Sequence, residues 1–548
     1  MQFCSTRDAG RFAGARQAIT QGLSEDGGLF VPAQVPAADL EALLAKREYP
    51  ALAAEVLGAF LTDYDPAFLR RAAAEVYGPR FGARPAPLAR ADDGMYALEL
   101  WHGPTCAFKD YALQLMPRLL VEAKRSLGRE ETTFILVATS GDTGKAALEG
   151  YRDVPGVRIA VFYPSHGTSE IQRLQMTTQP GENVAVYAVQ GNFDDAQTGV
   201  KQVFGSRAVQ DELAQRGVQL SSANSINWGR LVPQIVYYFA AYQQLLEQGS
   251  VTLGEKVDFC VPTGNFGDIL AGWYAKRMGL PVGMLVCASN QNNVLTDFFA
   301  TGVYDARRAF FRTTSPSMDI LVSSNLERLL YHAAGDAAKV RGWMESLAST
   351  GRYEVEPAVM ERIRAEFAAG CADNAQAAAE LRTQFERAGY LCDPHTAVAF
   401  KAAREYRARS GGAAPMVVLS TASPFKFPGD VLAALGQPAP QGEFEAMEAL
   451  ARHTGQPAPA ALAGLRTLPE RFQQTIRPEE IADVALGRKY MQTEKRPAKP
   501  PGFSGPFRAG PRGRIYTSRK VSHFVLPGSS EQLFTWMVPA VQQQAPLL

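Results

Sequence analysis

The chain has 548 residues, of which 56 are basic and 55 acidic, for a formal charge of +1. With 46% hydrophobic and 20% charged residues it is composed like a globular protein, which excludes a fibrous or disordered chain over most of its length. The balanced charge excludes a global field that gathers nucleic acid or anionic membrane, and the length implies roughly two to four domains.

Six cysteines, at positions 4, 106, 260, 287, 371 and 392, are scattered without a CxxC pair or metal-ligand spacing, the pattern of reduced thiols. The opening Met1 to Asp8 lacks a basic start followed by an apolar run, and no stretch of about 18 apolar residues occurs. Both readings place the chain in the cytoplasm.

Taken in chain order, strand-like apolar runs cover Tyr96 to Leu100, Thr133 to Ala138, Val157 to Tyr163, Val184 to Val189, Val257 to Val261, Val282 to Ala288 and Met416 to Leu419. Helical patterns lie between them, including Tyr111 to Ser126, Leu231 to Leu246 and Ile269 to Met278, with Pro117 placed to kink the first. Short, β-branched runs separated by helices predict buried parallel strands with crossover helices, an α/β fold. Residues 325 to 410 read as mostly helical, with alanine-rich Gly370 to Leu381 and no convincing strand until Met416, and predict a cover over one face. From Lys495 to Lys520 the chain carries eight basic and no acidic residues among prolines and glycines, and reads as a flexible solvated extension rather than a nucleic-acid contact.

Four segments carry chemistry. In Trp101 to Asp110, Lys109 follows a glycine-proline turn at a strand-to-helix junction where an aldehyde cofactor could be reached. From spacing alone the favoured reading is an ordinary surface lysine before a helix. Ala138 to Lys145 ends a strand and opens a helix, leaving free amides that suit an anion. A nucleotide P-loop is excluded, because Thr139 stands where a glycine is needed and Ala146 where a Ser or Thr is needed. A carboxylate-binding loop using Ser140 and Thr143 competes there with a simple helix cap by Asp142 or Thr143. Pro262 to Asp268 has the form of a phosphate cradle, in which glycines let the backbone approach a ligand, against the alternative of a plain turn. Leu419 to Phe427 closes the last strand with hydroxyls that could meet a ring nitrogen. Together they set an amine, a carboxylate site, a phosphate site and a hydroxyl at strand ends, where open α/β sheets bind ligands.

WHGPTCAFKD, TSGDTGKAALEG, SINWGRLVPQ, VPTGNFGD and LSTASPFKF resemble, in order, the successive motifs of the threonine synthase family. The resemblance begins at STR (Ser5) and DGGLFVP (Asp26), includes QPGENVAVYAVQGNFDDAQTGVK (Gln179) and DPHTAVA (Asp393), and weakens through about residue 490. It implies the second fold type of pyridoxal-phosphate (PLP) enzymes, with parallel sheets and flanking helices in a large and a small domain. The implied layout is an N-terminal subdomain over 1–92, a catalytic region over 93–490 with a small mobile domain inserted at about 110–240, and an extension over 491–548.

Carried over residue by residue, the resemblance implies that Lys109 holds PLP as a Schiff base. Gly264, Asn265, Phe266, Gly267 and Asp268 surround the cofactor phosphate, and Thr421 meets the pyridine nitrogen. Ser140, Asp142 and Thr143 grip the substrate's amino-acid end, while Asn227 and Arg230 take the substrate phosphate, with Lys145 as a helper. The implied reaction turns O-phospho-L-homoserine and water into L-threonine and phosphate by γ-elimination and β-addition, with Lys109 moving the protons. His102 and His395 are expected to pack or hydrogen-bond rather than catalyse. The alternatives are another lyase of this fold type, such as a serine or threonine deaminase or a cysteine synthase, and a catalytically silent PLP-binding relative. Phosphate release from O-phosphohomoserine separates them. Monomer and homodimer remain equally open.

Overall fold

The computed structural model describes residues 1–488, so the basic extension from Lys495 to Lys520 lies outside the described residues. Two parallel-stranded sheets organise the chain. The larger runs in the order Phe367–Cys371, Val282–Ser289, Val257–Pro262, Met416–Ser420, Met95–Glu99 and Leu88–Asp92, and all its pairs are parallel except the last. The second runs Thr475–Ile476, Val184–Val189, Val157–Pro164, Thr132–Ala138 and Val218–Ser221, parallel throughout.

Both sheets are buried on two faces, which explains why their strands read as continuous apolar runs. Along Val257–Pro262, side chains alternate between cores because successive residues point to opposite faces. Phe259 and Val261 pack with Tyr238 and Tyr274 of the helices Ile235–Glu247 and Gly267–Arg277. Cys260 faces the other way, toward Ala399 and Phe400 of helix Pro394–Ser410, and its thiol donates to the Ala399 carbonyl at 3.1 Å. The second sheet repeats the pattern. Ile135, Val137, Ile159 and Val161 face Ala147 and Tyr151, whereas Leu136, Ala160 and Phe162 face Val200, Val203 and Ile481.

Two expectations need correction. Residues 325 to 410 are mostly helical, as expected, but strands precede Met416, because Arg352–Glu354 pairs with Val303–Asp305 and Phe367–Cys371 forms the outer parallel strand of the large sheet. The sequence of that strand, FAAGC, lacks β-branched residues, and it holds by ladder bonds to Val282–Ser289 rather than by propensity. The alanine-rich helix therefore starts only at Asn374, behind an Asp373 capping box. Likewise Tyr111 to Ser126 is two helices, Asp110–Leu113 and Met116–Ser126. Pro117 has no N–H and so suits the first turn of a new helix.

The N-terminal segment forms a small antiparallel sheet (Phe12–Ala13, Phe3–Ser5, Phe30–Pro32) followed by helices Tyr49–Phe60 and Pro66–Val76. Leu52, Val56, Leu57 and Phe60 form one apolar stripe on the first helix and join the main core beside Trp228 and Tyr274. A buried ion pair clamps this segment down. Glu327 accepts from Arg7 Nε at 2.8 Å and Nη2 at 2.7 Å, while the neighbouring Arg328 donates to the Phe30 carbonyl at 2.9 Å and the Ile226 carbonyl at 2.6 Å. Removing one partner strands a charge in a low-dielectric interior. Arg7→Leu is therefore expected to destabilise the protein by about 3–5 kcal/mol in chemical denaturation; a loss below about 1 kcal/mol would show that the clamp is dispensable.

Candidate active site

Lys109 sits immediately after a tight turn. Gly103 lies so close to Asp110 that a Cβ there would meet Asp110 Oδ2 at 2.5 Å, so only glycine fits. Asp110 in turn accepts from the backbone N–H and the hydroxyl of Thr105, both at 2.8 Å. The Phe108 amide donates to the Thr421 carbonyl at 2.9 Å, which sets Thr421 beside the lysine. Lys109 is partly buried; its Nζ is 3.2 Å from Ser317 Oγ and 3.8 Å from Asp142 Oδ2.

Burial pushes the Lys109 amine down to about 8; Asp142 opposes that shift, and Lys426 and Arg230 add to it. Asp142 is the reverse case. Burial alone would raise its carboxyl, yet Lys426 and Lys109 hold it far below the usual range. Lys426 Nζ lies 2.6 Å from Asp142 Oδ1, and the Gln172 amide donates to the same oxygen at 3.0 Å. Lys426 is 0% exposed and donates also to the Thr105 carbonyl at 3.2 Å.

Asp142 does not cap its helix. The helix Asp142–Tyr151 starts at Gly141 without a side-chain cap, and the Thr139 hydroxyl takes the amides of Gly141 and Gly144, both at 3.0 Å. Asp142 points to the two lysines, leaving Ser140 and Thr143, both partly exposed, at the helix start.

The turn Gly264 to Asp268 fits an anionic handle. Among the described residues, the amides of Gly264, Asn265 and Phe266 meet no acceptor, and they precede the N-terminus of helix Gly267–Arg277. Phe266 adopts φ 65°, the left-handed region, and is held there by packing on Phe299 and Phe367. A Cβ on Gly264 would meet the Ser317 carbonyl at 2.9 Å. The Asp268 side chain accepts from Tyr237 at 2.5 Å and Tyr238 at 3.2 Å, leaving Oδ2 buried without a partner among the described residues, and burial pushes its carboxyl up to about 7. Its side chain thus belongs to the tyrosine cluster, and its place in the cradle is that of a helix-terminal residue.

Arg230 is buried; one end of its guanidinium donates to the Ala223 carbonyl and Nε has no partner among the described residues, an unmet donor near Lys109. Asn227 is committed elsewhere. Its amide donates to the Ile19 carbonyl at 2.9 Å and its oxygen caps Gly229 at 2.8 Å, so it positions Arg230 rather than presenting a free donor. Lys145 is also engaged, with Glu149 at 3.3 Å and with Gln179. His102 bonds Glu99 at 2.7 Å and stacks on Trp101.

Sequence reasoning missed two members of this cluster. Ser317 is held at Lys109 because its backbone N–H donates to His395 Nε2 at 3.1 Å, while His395 Nδ1 bonds Asp393 at 2.7 Å, which fixes the ring tautomer. Lys426 lay in view at the end of LSTASPFKF, but nothing local in the sequence marks its distant partner, Asp142.

An amine of lowered basicity at the strand ends of a parallel sheet, set on the Ser317 hydroxyl while the glycine of a turn with free amides lies against the Ser317 carbonyl, is the arrangement of a fold type II pyridoxal-phosphate-dependent enzyme, and residues 81–422 match the family described as "Pyridoxal-phosphate dependent enzyme". On either side, residues 2–77 match "Threonine synthase N terminus" and 396–485 "Threonine synthase, C-terminal". Threonine synthase of Pseudomonas aeruginosa is 39% identical over 492 residues, covering 88% of this chain and 97% of that one. The crystal structure of PLP-bound threonine synthase from Brucella melitensis superposes with a TM-score of 0.79 at 38% identity, over 89% of this chain and 99% of that chain. The chain belongs to the threonine synthase family. Human threonine synthase-like 1 is 38% identical over 446 residues, a match that spans 58% of that protein's length and 76% of this chain.

Only the neutral amine attacks an aldehyde, so capture of added PLP by the cofactor-free protein is expected to accelerate with pH and level off above a midpoint near 8. A stopped-flow record of the visible band across pH 6–11 checks this; a midpoint near the ordinary lysine value of about 10.4 would contradict the assigned environment.

Proposed function

We propose that this chain converts O-phospho-L-homoserine and water into L-threonine and phosphate, with PLP held on Lys109. The observation that carries this reading is the placement of one partly buried amine, Lys109 Nζ, between Ser317 and Asp142, with Gly264 of the free-amide turn packed against the carbonyl of the same Ser317. Gly264 to Asp268 would hold the cofactor phosphate through backbone N–H groups, and Thr421 would meet the ring nitrogen. Bound there, the cofactor supplies an electron sink for charge developing at the substrate's α-carbon.

The chain's own residues supply the rest. Lys109 Nζ takes the proton from the substrate's Cα and, once it has passed that proton on to the substrate's phosphate group and is a neutral amine again, takes one from Cβ, which its lowered basicity suits near neutral pH. Ser140 and Thr143, at the start of the helix Asp142–Tyr151, bind the substrate carboxylate. Arg230, steadied by Asn227, directs its free Nε to the substrate phosphate that leaves Cγ. The sheet built from residues 132–221, with its own two-faced core, serves as the mobile unit that closes over the substrate and excludes bulk water. A small metabolite is the partner, and the scattered free cysteines support a cytoplasmic setting.

Lys109→Ala is the direct test, with absorbance and phosphate release recorded together. The variant is expected to lose the visible band of lysine-bound cofactor and at least about 10³-fold of phosphate release from O-phosphohomoserine. Retained release would overturn the assignment, and a wild-type protein that binds PLP but releases no phosphate would favour a silent relative.

A further inference from the structure

Two buried lysines share one carboxylate. Asp142, 4% exposed, has Lys426 Nζ at 2.6 Å on Oδ1 and Lys109 Nζ at 3.8 Å from Oδ2. The two cations differ in chemistry. Lys109 is partly exposed to the cleft and sits beside Ser317, where a carbonyl compound can reach it; Lys426 is fully enclosed, tethered to the Thr105 carbonyl, and cannot react.

If Lys109 forms a bond to an aldehyde and exchanges it during turnover, its charge is not constant. A buried carboxylate whose partner changes charge is exposed to an uncompensated desolvation cost at some stage of the cycle. We propose that Lys426 is a positioning residue for the reaction: a fixed counter-cation that keeps Asp142 ionised and in place while Lys109 changes its bonding. The inference rests on Lys109 being the reactive amine.

The surrounding charges agree with this division. Around Lys109 stand Asp142, Asp268, Arg230 and Lys426; around Lys426 stand Asp142, Asp110 and the buried thiol of Cys106. Asp110 is committed to Thr105 and Gln114, and the Asp268 carboxylate to two tyrosines, so Asp142 is the carboxylate in contact with both lysines. Lys426 also lowers the proton affinity at Lys109 through space, whereas Asp142 raises it.

The test uses the holoenzyme and the near-isosteric Lys426→Met, with Asp142→Asn and the double variant completing a cycle. Removing the cation leaves net negative charge beside the Lys109 nitrogen, so the pH midpoint of the lysine-bound cofactor's absorbance is expected to rise by about one unit in Lys426→Met. Adding Asp142→Asn removes the opposite charge and is expected to return the midpoint toward the wild-type value. Turnover is expected to fall about 100-fold in Lys426→Met, but by less than about tenfold when the same change is made in the Asp142→Asn background. Cofactor content and thermal melting establish that each variant is folded; should Lys426→Met fail to fold, Lys426→Arg, which keeps the cation, is expected to hold the wild-type midpoint, and a shifted midpoint there overturns the proposal. An unshifted midpoint in folded Lys426→Met, or a loss of turnover from that change as large in the Asp142→Asn background as in the wild type, overturns the proposal. A wild-type protein without the cofactor band would instead sink the functional reading itself.

Discussion

A charge taken out of water must be matched where it stands, and the cleft of this protein is arranged around that constraint at Asp142. Its carboxylate comes from the turn after Thr132–Ala138 in the second sheet, whereas Lys426 follows Met416–Ser420 of the large sheet and Lys109 follows Met95–Glu99. The ion pair therefore joins the two sheets at their C-terminal strand ends, where parallel architecture gathers loops into one crevice. Separating the sheets there would leave an acid and a base facing water or each other's absence. The Gln175 amide crosses the same junction to the Thr105 carbonyl at 3.2 Å, while Ile171 and Leu174 of the same helix join an apolar cluster with Phe425 and Phe444.

A second layer of polar order holds the far wall. Asn290 and Asn292 both donate to Asp319 Oδ1, at 2.7 and 3.0 Å, and Thr313 engages the same carboxylate, so the loop that carries Ser317 is fixed by side chains rather than by ladder bonds. Such networks specify one arrangement only when their members are satisfied together. His395 completes the arrangement from helix Pro394–Ser410, accepting from Ser317 with a ring oriented by Asp393.

Much of this was legible in the chain because the physics was local. Two-faced burial makes runs such as VAVYAV apolar throughout, and that run forms a strand with the bounds read from it, Val184–Val189. Glycines forced by close approach, as at Gly103 and Gly264, mark the turns that carry the lysine and the cradle. What stayed hidden depended on partners far away in sequence. Phe367–Cys371 is a strand by virtue of its neighbour, Asn227 is a cap by virtue of Gly229 and Ile19, and Lys426 matters through Asp142, 284 positions earlier. The short helix after Lys109 differs from expectation for the opposite reason, since a proline at position 117 is locally compatible with a kink inside one helix and with the start of another, and the structure takes the second.

The edge strand Thr475–Ile476 carries a consequence for biogenesis. It pairs with Val184–Val189, and the following Ile481 and Val484 fill the core beneath Phe162 and Tyr187. During synthesis the second sheet emerges early yet lacks one border and part of its core until about 260 further residues have left the ribosome. Its outer strand is thus exposed through about half of translation, a window in which strand-on-strand association competes with completion of the fold.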